Sequence, residues 1–68
     1  MNAATHASIL ATAYRAKALE ALELARQARQ EGKEMAHSGY LSECLHWRAL
    51  ADAVARKAEE TGQEATRA

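Results

Sequence analysis

Proline and phenylalanine are missing from this 68-residue chain, glycine occurs three times and cysteine once. Each shortage excludes something. With no proline, no helix is forced to kink or stop for want of an amide donor; with so little glycine, the chain has few places to turn. Aromatic residues are only 4% of the sequence and alanine dominates, so helix propensity is high almost everywhere and strand propensity is low. The expected fold class is all-α. A single cysteine, Cys44, forbids an intrachain disulfide and fits a reducing compartment. Nine basic residues balance nine acidic ones, which argues against attachment to nucleic acid or membrane through the overall field and leaves only local patches to consider. No segment approaches the roughly 20 apolar residues needed to span a bilayer, and the first ten residues lack the basic and apolar regions of a secretory leader. The chain is therefore expected to be cytoplasmic, with no membrane partner.

What is present is helical periodicity. Tyr40, Cys44, Trp47, Ala51, Val54 and Ala58 recur at alternating steps of four and three residues, the spacing of one helical stripe. Leu41 and Leu45 fall on its flank, beside Arg48 and Asp52. An earlier stripe reads Ala7, Leu10, Tyr14, Ala18, Ala21, Leu22, Ala25 and Ala28, with Ile9, Leu19 and Leu24 on other sides. Two stripes on so short a chain predict an antiparallel helical hairpin. A core of this size rarely supplies more than about 3 to 5 kcal/mol without a staple or a partner. The leftover apolar positions Ile9, Leu19, Leu24, Leu41 and Leu45 therefore predict self-association, as a homodimeric four-helix bundle.

Boundaries follow from the glycines. The first helix is expected over about residues 3–31, capped at Asn2 or Thr5 and closed by Gly32 in the left-handed conformation. The connection is placed at 32–39, with Ser38 or Gly39 capping a second helix over 40–60 and a frayed polar tail at 61–68. The whole forms one domain. Arg48, Asp52, Arg56 and Glu60 follow at i, i+4 and predict a ladder of alternating charge on a solvated face.

Residues that could carry chemistry are few. His37, Cys44 and His46 are metal-ligand types, but Cys44 and His46 point roughly 200° apart on a helix and cannot share an ion. Cys44 lies on the packed seam, where access to a nucleophile is blocked. There are no paired carboxylates in a common pocket and no glycine-rich phosphate loop. The sequence therefore predicts no catalytic residue, metal or cofactor, and no enzyme.

Binding features are richer. Arg15, Arg26, Arg29 and Lys33 cluster on one side of the first helix, a basic strip that arginines near a helix C-terminus also explain through the macrodipole. In length and architecture the chain resembles Rop-type hairpins, whose dimers contact paired RNA loops from one face, which implies RNA as the alternative partner. Tyr40 and Trp47 share a face of the second helix, Tyr40 near its predicted start, where few residues precede it to cover the ring. They serve either as core opposite the alanines or, with Leu41 and Arg48, as an interface hot spot. Ser38-Gly39-Tyr40, followed by Cys44-Leu45 and Trp47, resembles a phage-encoded family of anti-activators, helical hairpins that inhibit a bacterial quorum-sensing regulator and a pilus-assembly ATPase. That resemblance implies a dimer presenting Tyr40 and Trp47 to a host protein. The leading functional expectation is thus a small protein-binding regulator or inhibitor acting through Tyr40, Leu41, Trp47 and Arg48. A purely structural or assembly module is the remaining alternative.

Overall fold

In a computed structural model, the backbone is described over residues 3–67 and the side chains over residues 5–60. Two helices, α1 (Ala3–Gln30) and α2 (Glu34–Arg67), pack antiparallel as a hairpin. The molecule is about 55 Å long and 10 Å thin. That thickness is the diameter of one helix, so the hairpin is a single layer and every residue faces either the seam or the outside.

The turn is shorter than the sequence suggests. Gly32 takes φ +74°, its amide donates to the Arg29 carbonyl at 3.1 Å, and the Lys33 amide donates to the Ala28 carbonyl at 2.8 Å. This pair of bonds is a Schellman closure, in which the left-handed residue sits just past the helix end. The Lys33 carbonyl then accepts from the His37 amide at 2.9 Å, so the residue that completes the closure of α1 also opens α2. Glu34 follows in the first turn of α2, where a carboxylate complements the positive end of the helix.

Three sequence expectations are corrected here. The connection is Glu31 to Lys33 and not 32–39; Ser38 and Gly39 lie inside α2 and cap nothing. The reason is that Gly32 alone supplies the left-handed residue the turn needs, while Gly39 costs a helix only about 1 kcal/mol. Tyr40 consequently sits in the second turn of α2. The helix also runs through Gly62 to Arg67, past the predicted end near 60, because an isolated glycine among alanine, glutamate and glutamine is too weak to stop it. Of the two proposed caps of α1, Asn2 and Ala68 at the other end of the chain lie outside the described residues, and Thr5 falls inside the helix, which begins at Ala3.

The seam is built almost entirely of alanine. Ala11, Ala18, Ala21, Ala25 and Ala28 of α1, with Cys44 and Ala51 of α2, are the buried residues. With half-buried Ala7 and Tyr14, the α1 members step by four and three without interruption, a heptad in which they occupy the a and d positions. Tyr40, Cys44, Trp47, Ala51, Val54 and Ala58 hold the same positions on α2, as the sequence predicts. Leu10, expected in the seam, is 43% exposed and Ala11 replaces it; the unbroken alternation selects Ala11, which leaves Leu10 one position to the side. Methyl-sized side chains let the backbones approach closely, but each contributes only about 0.8 kcal/mol on burial, against about 1.5 to 3 for a leucine.

Candidate protein-interaction face

Register fixes which side chains meet. The rings of Tyr14 and Trp47 stack with centroids 5.6 Å apart at 27°, which aligns these two d positions across the seam. Trp47 also packs, with Leu22, against the cluster of Ala18, Ala21 and Cys44, and His46 meets its edge at 5.5 Å. Trp47 therefore fills the space beside the small residues Ala18, Ala21 and Cys44. Tyr14, which gave no separate signal in the sequence beyond its place in the stripe, is its partner.

In an antiparallel pair, the e positions of both helices flank one side of the seam and the g positions flank the other. An open groove lined by Ala7, Ser8, Ala11, Arg15, Ala55 and Ala58 shows this arrangement directly. Its volume is ≈ 220 Å³, below the roughly 300 to 1,000 Å³ of small-molecule pockets. Extending the register of Tyr14 and Trp47 along the same side toward the turn sets Arg15 opposite Arg48, then Leu19 opposite Leu45, then Leu22 opposite Leu41, with Arg26 and Arg29 beyond. Leu22 and Leu41 are half-buried and form the floor; Leu19 is 67% and Leu45 63% exposed.

Four leucines thus lie in one patch with arginines at both ends. The sequence presents Leu41 and Arg48 as one candidate site and Arg15, Arg26 and Arg29 as another; folding places them on one face. Tyr40 and Trp47 belong to the seam beneath it, each half-buried. Lys33 stands apart at the turn, where its ammonium pairs with Glu31 at 3.0 Å. That hydrogen bond and the charge of the Glu31 carboxylate hold the Lys33 pKa above its ordinary 10.5.

The arginines of this face are under-committed. Arg26 reaches Glu23 only at 3.9 Å with both side chains well exposed, a contact of the kind that contributes little. Arg15, Arg29 and Arg48 make no ion pair among the described residues, and the predicted ladder from Arg48 to Glu60 does not close. On the opposite side, the g positions carry Leu10, Leu24 and Leu50 interleaved with Lys17, Glu31, Glu43 and Lys57, charges of both signs. Among the described residues there is no cluster of His, Cys, Asp and Glu fit to hold a metal, and no helix is long and apolar enough to cross a membrane.

The chain matches no protein-family model, no curated protein and no solved structure.

Proposed function

We propose that this chain is a small non-enzymatic protein-binding regulator, a hairpin that self-associates and presents a leucine surface to a second protein. The observation that carries the reading is the inversion of its apolar residues: alanine fills the seam while Leu10, Leu19, Leu24 and Leu45 stand 42 to 67% exposed. A protein of this size that keeps its larger hydrophobes outside has them available for another surface. Self-association as a four-helix bundle fits the side bearing Leu10, Leu24 and Leu50, because its mixed charges can meet their opposites in a two-fold copy. The lone thiol of Cys44 fits a reducing cytoplasm. An inhibitor of the anti-activator kind is compatible with this reading, with Leu41 and Arg48 at the contact and Tyr40 at its margin.

A Rop-like RNA contact is supported less well. Phosphate tracking favours an unbroken row of cations, and here Leu19 and Leu22 interrupt the row between Arg15 and Arg26. Sedimentation of the chain at micromolar concentration tests the reading. The expected mass is about twice 7.4 kDa, falling to the single-chain mass in Leu10→Ser/Leu50→Ser. A well-folded monomer at those concentrations would refute the bundle.

A further inference from the structure

The leucine face carries more information than its apolarity. On α1, the first charged residues of this face met on leaving Leu19 and Leu22 are Arg15 in one direction and Arg26 in the other, with Arg29 beyond. On α2, Arg48 bounds Leu45, while toward the turn Ser38 precedes Glu34. Asp52 lies one turn further out than Arg48. Three of the four arginines have no carboxylate partner among the described residues, and the register sets Arg15 opposite Arg48 on this side of the seam. Two guanidinium groups set opposite each other repel unless an anion comes between them.

A second copy of this chain carries carboxylates only at the rim of this face, Asp52 and Glu34, and neither pairs with Arg15. A two-fold axis lying in the interface and perpendicular to the hairpin would bring Arg15 of one hairpin onto Arg26 of the other, and Arg48 onto Ser38. A two-fold axis along the hairpin would set each end against itself. Either way Arg15 meets a cation, Arg26 in the first arrangement and Arg48 in the second, and only an approach of Glu34 to Arg29 in the second offsets it, a mismatch that disfavours the pairing.

From this charge pattern we infer that the face docks an amphipathic helix of a partner protein, one whose apolar stripe is bounded at both ends by carboxylates. The inference rests on the protein-binding reading above and adds the chemistry of the partner. The helix lies along the seam as a third strand of the bundle, its i, i+3, i+4, i+7 side chains seated on Leu22 and Leu41 between the walls of Leu19 and Leu45. Arg15 and Arg26 are eleven positions apart, about 16 Å along a helix at 1.5 Å per residue. The partner's carboxylates therefore stand about three turns apart, flanking about two apolar turns. Guanidinium suits this task because its planar fork takes a carboxylate bidentately.

The test uses the full chain and two labelled peptides of about five helical turns, both with leucines along one stripe, one ending in glutamates and the other in lysines. Fluorescence anisotropy should give the glutamate peptide a Kd lower by about tenfold or more, equivalent to about 1.4 kcal/mol. Arg15→Glu/Arg48→Glu, whose fold is checked by circular dichroism, should lose or reverse that preference while sedimenting as the wild type does. Leu45→Ser should weaken the glutamate peptide by a similar factor. Equal binding of the two peptides, or tighter binding of phosphatidylglycerol vesicles or of an RNA hairpin, overturns the proposal. Loss of self-association in the double variant also overturns it, by assigning the face to the chain's own copy. A chain that self-associates but ignores both peptides refutes only this inference; a folded monomer that binds neither refutes the reading beneath it.

Discussion

Trp47→Ala separates the two roles that the tryptophan was open to in the sequence. The indole packs on Ala18, Ala21 and Cys44 and stacks on Tyr14. Truncating a fully buried tryptophan costs about 3 to 5 kcal/mol; Trp47 is half-buried, which halves that. The stacked pair adds about 0.5 to 1.5 kcal/mol beyond area, so the expected loss is about 2 to 4 kcal/mol. For a domain of this size that lowers the melting temperature by roughly 10 to 25 °C, enough to approach unfolding. Trp47→Phe keeps the stack and fills most of the volume, and should lose less than half as much. Thermal melts followed by far-UV circular dichroism read the values, and adding Tyr14→Ala to each background closes a double-mutant cycle with a coupling of about 1 kcal/mol. A Trp47→Ala protein that melts within two or three degrees of wild type, roughly 0.5 kcal/mol or less, would refute the assignment of the indole to the seam.

The glycines should respond oppositely to the same change. Gly39→Ala places a methyl where nothing lies within 4 Å and should stabilise by about 0.5 to 1 kcal/mol in a urea titration, whereas Gly32→Ala, at φ +74°, should destabilise by about 1 to 2. Cys44, 6% exposed, should react with a thiol reagent slowly in the native protein and quickly in denaturant; fast labelling of the native state would move it out of the seam.

Most of the hairpin was legible because its signals are local. The alternation that runs from Tyr40 to Ala58 states the face of α2 outright, and the leucines left off it announce surface needing cover. A wheel at 100° per residue puts Leu10 in the seam because it cannot decide between adjacent members of a drifting stripe, whereas the strict four-three alternation selects Ala11. Composition lengthens the turn to 32–39 because it weights Ser38 and Gly39 equally with Gly32, although only Gly32 takes the left-handed conformation. The site was harder to read, since Arg15 and Arg48, or Leu22 and Leu41, become neighbours only through the register that Tyr14 and Trp47 fix across the seam. Sequence periodicity places each residue on its own helix and says nothing of which residue it faces on the other.

The central claim is that an alanine seam leaves the larger hydrophobes for a second chain to cover, so that folding and association are one process. The concentration dependence of the urea midpoint tests it most directly. For a dimer that unfolds as it dissociates, a hundredfold rise in chain concentration adds about 2.7 kcal/mol of apparent stability per dimer by mass action, and the midpoint rises accordingly. A cooperative transition whose midpoint does not move over that range would show a hairpin stable by itself, and would contradict the account.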